Sequence, residues 1–336
     1  MGFCRSSAKN CTSTHNMQIL SDWFLWAIVT MVAIASFSPH LAATLHANQV
    51  SDYGIFIIFF LYGVNLSVES LRSGLVNWRL HLLVQLSTFV LFPALFIPFR
   101  ALCGPWLPAD LQLGFFYLCA LPSTISSSVA MTAIARGNVP AAIFNATLSS
   151  LLGVVLTPAL VSLVAQTTGQ APPFAHTVTK VATLLLLPFA LGQLLRPFAG
   201  KFFGRYKKHT AISDKCIILI LVFAAFSDSV NAGLWTTYGP PILALTFVCT
   251  GAILAIVLTI TTTLARLLKF STPDEIVAVL CGSKKTLASG APMAKLIFAG
   301  STGLGPILLP IIFYHQIQLI VCSVLARRYA ARPELS

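Results

Sequence analysis

Apolar runs set the terms for this chain. Ten stretches are apolar and divided by polar or Pro/Gly punctuation, near residues 21–38, 53–68, 80–99, 111–134, 139–165, 174–195, 212–231, 240–265, 274–298 and 304–326. A helix of about 20 mostly apolar residues crosses the hydrocarbon of a bilayer. Only 9% of the 336 residues are charged, against about a quarter in an ordinary soluble domain, so a cytosolic protein is excluded. The pattern predicts an all-α polytopic membrane protein with ten transmembrane helices.

The basic residues give these spans a direction. With both termini on the cytoplasmic side, Arg5, Arg72, Arg79, Arg136, Lys208 and Arg266 all fall in or beside inside loops, and Arg100 alone falls outside. Lysines and arginines collect on the cytoplasmic side of membrane proteins. The net charge of +12 is therefore a topology signal and not a nucleic-acid footprint. Cysteines scattered within spans match no zinc spacing and no disulfide framework. The polar segment before Ser21 lacks the order of a signal peptide and reads as a tail.

An internal repeat carries the functional information. Span four reads CALPSTISSSVAM from Cys119 to Met131, and span nine reads CGSKKTLASGAPM from Cys281 to Met293. Aligned without gaps, Cys119 meets Cys281, Thr124 meets Thr286, Ser127 meets Ser289 and Met131 meets Met293. Each segment is the fourth span of its half. Five is odd, so the second half enters from the opposite face and the repeat is inverted. The expected organisation is a cytoplasmic tail over 1–20, spans one to five over 21–166, spans six to ten over 167–328, and a cytoplasmic tail over 329–336. Pro122 with Ser123–Ser128 supplies a break in span four, and Gly282, Ser283, Lys284, Lys285 and Thr286 supply one in span nine. Inverted repeats with broken helices point to the binding site of a secondary transporter. Unpaired carbonyls at one half-helix end suit cations, and N–H groups at the other suit anions.

PSTISSSVAMTAIARGNVPAAIFNATLSSLLGVVLTPAL, from Pro122 to Leu160, and LCGSKKTLASGAPMAKLIF, from Leu280 to Phe298, resemble the bile acid:sodium symporter family. The second segment is most similar to its divergent branch around solute carrier family ten, member seven. The resemblance covers about residues 20–328. It implies a panel of spans 1, 2, 6 and 7, a core of spans 3–5 and 8–10, and spans four and nine crossing at their unwound centres. It also implies sodium-coupled uptake of amphipathic organic anions. By motif, sodium falls at Ser127, Ser128 and Asn145, with Gln85, Ser126, Ser149 and Thr147 nearby. Family members carry Glu-x-x-x-Gln-Asn at the span-nine break; this chain has Cys281-Gly282-Ser283-Lys284-Lys285. The carboxylate is absent, and two-sodium coupling is thereby put in question.

A buried ammonium is costly unless paired. Lys284 or Lys285 is therefore expected to replace a cation, to contact an anionic substrate, or to titrate. Lys295, His81 and His315 read as snorkelling or packing residues. No paired intramembrane aspartates, Ser/His set or phosphate-binding loop is present, so the chain is not expected to be an enzyme. The leading reading is a symporter-like secondary transporter of a small organic anion in a plasma or bacterial inner membrane. Its cofactors are none beyond sodium as a coupling ion, and its oligomeric state is open. The alternative is a regulator of ion homeostasis that has lost transport.

Overall fold

The computed structural model describes residues 23–65, 77–167, 174–231, 233, 238–298 and 304–332. The expected tail 1–20, the last residues of the expected tail 329–336, and Arg5 and Arg72 lie outside these residues. Among the described residues every regular element is helical. In chain order these are α1 (Trp23–Phe37), α2 (Ala47–Asn65) and α3, in which Trp78–Leu86, a π-helical turn Ser87–Leu91 and Phe92–Cys103 run on continuously. Then come α4 (Ala109–Ala120), α5 (Ser126–Ile134), α6 (Val139–Thr167), α7 (Phe174–Arg205) and α8 (Lys207–Asn231). The chain ends with α9 (Pro240–Leu267), α10 (Thr272–Gly282), α11 (Leu287–Ile297) and α12 (Leu304–Ala330).

Each apolar stretch of the sequence coincides with one helix, except 111–134 and 274–298. Those two are pairs of shorter helices, α4 with α5 and α10 with α11, separated by non-helical chain at 121–125 and 283–286. Five helical segments are long and apolar enough to cross a membrane by length and composition: Trp78–Trp106, Val139–Val164, Thr183–Gly200, Pro240–Leu267 and Leu304–Ala330. Large apolar side chains such as Leu82, Val90, Ile97, Phe198, Phe247 and Ile256 are exposed on their outer faces. Hydrocarbon, and not water, suits a surface of that kind.

The helices pack as two groups. In the first, α2 lies along α7, and α8 packs on α1 and α2. In the second, α12 packs on α4 and α9, α10 packs on α3 and α9, and α6 packs on α4, α5 and α10. The groups meet where α8 touches α11 and α12 and where α6 touches α7. A polar seam joins them near the start of α2: Lys295 of α11 forms an ion pair with Asp52 at 2.8 Å and also bonds the Asn48 carbonyl at 2.8 Å and the Ser51 hydroxyl. The lysine expected to snorkel is thus committed to a partner helix. Its apolar stem is long enough to reach either, and the sequence does not show that Asp52 comes within range. Beside it, the Gly305 N–H donates to Ser229 Oγ at 2.8 Å.

The α2–α7 contact is set by two glycines. A Cβ at Gly63 would lie 2.1 Å from the Phe189 carbonyl oxygen, and one at Gly192 would lie 2.2 Å from that of Phe60. Backbones approach this closely only where side chains are absent, as is common between membrane helices. Gln193 Nε2 then reaches the Gly63 carbonyl at 2.7 Å. Gly63→Ala and Gly192→Ala should each lower the thermal unfolding midpoint in detergent, with overpacking costing about 1–3 kcal/mol. Gly251→Ala on α9, where the nearest atom is 4.0 Å from the new methyl, should leave it unchanged or raise it.

Candidate functional site at two helix breaks

The two interruptions lie against each other. α4 ends at Ala120 and α10 ends at Gly282. These are equivalent positions in the alignment that pairs Cys119 with Cys281. Gly282 itself is still helical, so the second break begins one residue later than the sequence suggests. Ser126, Ser127 and Ser128 are likewise not part of the first break: they form the first turn of α5.

Contacts across the breaks repeat in matching pairs. Ser123 Oγ donates to the Cys281 carbonyl at 2.6 Å, and Lys285, at the position equivalent to Ser123, donates from Nζ to the Cys119 carbonyl at 2.8 Å. The Ser123 N–H donates to Ser149 Oγ on α6 at 2.9 Å, while the Lys285 N–H donates to Gln318 Oε1 on α12 at 2.9 Å. The Thr286 N–H adds a direct bond to the Pro122 carbonyl at 3.1 Å. Thr286 also caps α11, its hydroxyl accepting from the Ser289 N–H at 3.4 Å.

Both lysines are fully buried, at 0% exposure, and among the described residues neither has a carboxylate partner. Lys285 Nζ meets three carbonyls, those of Thr88 and Cys119 at 2.8 Å and of Leu121 at 2.6 Å, and sits 4.0 Å from the centroid of the Phe92 ring. Three acceptors match the three N–H donors of an ammonium; a neutral amine has two. The carbonyls are available for identifiable reasons. Cys119 and Leu121 lie at the end of α4, where no following turn supplies donors. Thr88 lies in the π turn, where the Phe92 N–H bonds the Ser87 carbonyl and Pro93 has no N–H to offer. The intervening Ala120 carbonyl is taken by Thr157 Oγ1 at 2.8 Å.

Lys284 is held differently. Its Nζ reaches the Ser127 carbonyl and Met131 Sδ, each at 2.8 Å, which leaves one donor of an ammonium in hand. The Gln85 amide reaches the Asn145 carbonyl at 3.1 Å and Asn145 Oδ1 at 3.4 Å, and Asn145 Nδ2 donates to the Ala141 carbonyl at 2.9 Å. Gln85 Oε1 is buried without a hydrogen-bond partner. Ser128 Oγ makes a long contact, 3.4 Å, to the Leu280 carbonyl and also bonds the Cys281 thiol. Thr124 and Ser127 share a hydroxyl–hydroxyl bond of 2.8 Å, and Ser126 is exposed. The residues anticipated from the sequence thus fall into three neighbouring sets: Ser149, Ser283, Lys285 and Thr286 at the breaks, Lys284 with Ser127 and Ser128 on the first turn of α5, and Gln85 with Asn145 between α3 and α6. Gly282 packs at the edge of the first, where an added Cβ would lie 3.4 Å from Ser87 and from Thr261.

Sequence reasoning missed the side chains that hold the second break. Gln318 spans Lys285, accepting from its N–H and donating from Nε2 to its carbonyl at 2.7 Å, and Tyr314 donates to the Ser283 carbonyl at 2.6 Å. Tyr117 donates to the Gly290 carbonyl at 2.5 Å. Tyr314 and Gln318 stand four apart and so share one helix face; two polar residues on one face of an apolar span was the available signal. Gln318→Leu should destabilise the protein by about 2–6 kcal/mol, since two buried backbone groups each lose a partner at roughly 1–3 kcal/mol. Tyr314→Phe should cost about half as much, and thermal unfolding of purified protein checks both.

The profile of the SBF-like CPA transporter family matches residues 22–331. The uncharacterized protein PA2026 of Pseudomonas aeruginosa is 46% identical over 319 residues, covering 94% of this chain and 95% of that one. YfeH of Escherichia coli K12, named as a candidate symporter, is 43% identical over 318 residues, covering 93% and 94%. Sodium/bile acid cotransporter 7 of Mus musculus is 29% identical over 314 residues, covering 90% and 91%. These matches run the length of the helical array and agree with the resemblance read from the two break segments, and the family and the two relatives named by function are transporters and not enzymes. The chain is an integral membrane protein and belongs to the SBF-like CPA transporter family.

Proposed function

We propose that this transporter is a symporter-like secondary carrier that moves an amphipathic organic anion by alternating access, coupled to a cation. The observation that carries the proposal is the pair of apposed breaks, where equivalent residues Ser123 and Lys285 each reach the carbonyl of the equivalent Cys281 and Cys119. Such reciprocity supports two inverted five-helix repeats over 21–166 and 167–328, ten spans, and both termini on the cytoplasmic face. The group α1, α2, α7 and α8 would be the panel that rocks against the remaining helices.

The chemistry of the site supports each cargo. Lys284 and Lys285 place positive charge in a low-dielectric interior without a carboxylate, which favours an anion. Lys284, with a donor to spare beside the serine-lined first turn of α5, is the anion contact; the N–H groups of that turn add to the attraction. Gln85 Oε1, Asn145 Oδ1 and Ser128 Oγ are neutral oxygens with no partner, or with long or thiol contacts only. They are the donors for sodium, which prefers hard oxygen ligands. The cotransporter names of the relatives make a bile acid the first anion to try.

Purified protein in liposomes should accumulate radiolabelled taurocholate or a related amphipathic acid under an inward sodium gradient. Lys284→Met should weaken uptake about tenfold or more, the equivalent of a lost charge-assisted bond of roughly 1.5–3 kcal/mol. Sodium should raise the unfolding midpoint over choline at equal ionic strength, and Ser128→Ala or Asn145→Ala should remove that gain. Uptake driven equally by proton or no gradient, with no sodium stabilisation, would overturn sodium coupling. Failure of any gradient to drive uptake by well-folded protein would overturn the carrier and favour a regulator.

A further inference from the structure

We infer that the carbonyls of Thr88, Cys119 and Leu121 form a monovalent-cation site and that the Lys285 ammonium is its resident cation, tethered to the break of the opposite half. The inference deepens the proposed coupling by deciding where a travelling cation does not bind, but it rests on the geometry of the cage alone. Carbonyl oxygens arranged around a point are the means by which proteins replace the hydration shell of a monovalent ion. Here the three oxygens come from two different helices and stand 2.6–2.8 Å from one nitrogen, and that nitrogen also lies 4.0 Å from the centroid of the Phe92 ring. None of the ligands carries a formal charge, so the cage suits one positive charge and not a divalent ion, which calls for carboxylates.

The arrangement does not depend on lysine for its existence. The Thr88 carbonyl is freed by the π turn and Pro93, and the Cys119 and Leu121 carbonyls are freed by the end of α4. These features belong to other segments than the one that supplies the ammonium. Without a cation the three carbonyls would be buried, close together and unpaired, with the negative end of the α4 dipole behind them. The lysine therefore meets a demand set by the rest of the fold. A free cation coupled to transport is left with the oxygens of Gln85, Ser128 and Asn145, and the number of coupling ions at the breaks is reduced by one.

Chemical rescue tests this. Full-length Lys285→Ala should unfold at a lower temperature than the parent in choline chloride, and should regain the larger part of that loss in methylammonium or ammonium chloride at equal ionic strength. The parent should not distinguish methylammonium from choline. Lys285→Met fills the same channel without charge or donor, and should stay below Lys285→Ala in methylammonium. No regain overturns the inference, whether Lys285→Ala is folded or fails to fold in every salt. So does a Lys285→Met protein as stable as Lys285→Ala in methylammonium, since bulk and not charge would then be what the cage needs. The readout is unfolding alone: a null uptake result would overturn the carrier and leave the cage standing, and absent rescue would do the reverse.

Discussion

A helix that stops inside a packed apolar interior leaves carbonyls with no N–H to meet them, and little water is at hand to take its place. The structure of this protein is organised around meeting that constraint twice, at the ends of α4 and α10. The two solutions differ in strength. At α10 neutral hydroxyls do the work: Ser283 bonds back to the Val279 carbonyl at 2.6 Å, Ser123 reaches Cys281, and Ser128 reaches Leu280. At α4 a hydroxyl from Thr157 is joined by the amino group of Lys285. Desolvating an ammonium carries an effective penalty of several kcal/mol. Three charge-assisted hydrogen bonds at roughly 1.5–3 kcal/mol each, with an aromatic face worth about 2 kcal/mol when desolvated, are of the size needed to offset it.

That asymmetry is imposed on a repeat whose geometry is otherwise matched. Ser149 on α6 and Gln318 on α12 accept the backbone N–H at positions that the alignment of the two break segments makes equivalent. Gln318 goes further by also holding the carbonyl of Lys285, and His315 stands beside its amide, with 3.1 Å between Gln318 Nε2 and His315 Nδ1. The break that carries the two lysines is thus the more firmly clamped one. Clamping fixes the point from which both lysine stems leave, and adjacent positions send them apart: Lys285 toward α3 and α4, Lys284 toward α5.

Much of this was legible before any coordinates. The apolar runs located the helices because burial in a bilayer demands length, and length is written locally. The breaks were legible because Pro122 and the Gly282–Thr286 segment disturb that local pattern, and errors there stayed within a residue or a turn. What the sequence did not disclose was partnership. Lys285 meets carbonyls of Thr88 and Cys119, and Lys295 meets Asp52, across most of the length of the chain, and nothing local marks such pairs. Gln318 and Tyr314 were overlooked for a related reason: a polar side chain in an apolar span announces that it has a partner without saying which. The contribution of Pro93 was further removed, since it acts by a missing donor one turn away from the carbonyl it sets free.

The Lys295 seam has a bearing on how the two helix groups are held together. Lys295 is largely covered, whereas the Asp52 side chain is 62% exposed. Exposed ion pairs hold by about 0–1 kcal/mol, which is within reach of thermal fluctuation. The nearby Gly305–Ser229 bond is neutral and belongs to backbone that needs no rearrangement to release it. At the opposite end, Asp274 and Glu275 bind only within one group, to Asn77, Asn138, Arg266 and Tyr329. The ionic part of the fastening between the groups is therefore shallow and set at one rim, while the remainder is apolar packing of α8 on α11 and α12 and of α6 on α7. An ion pair of that kind is weak enough that the ionic strength of the fluid bathing that rim would tune how much it contributes.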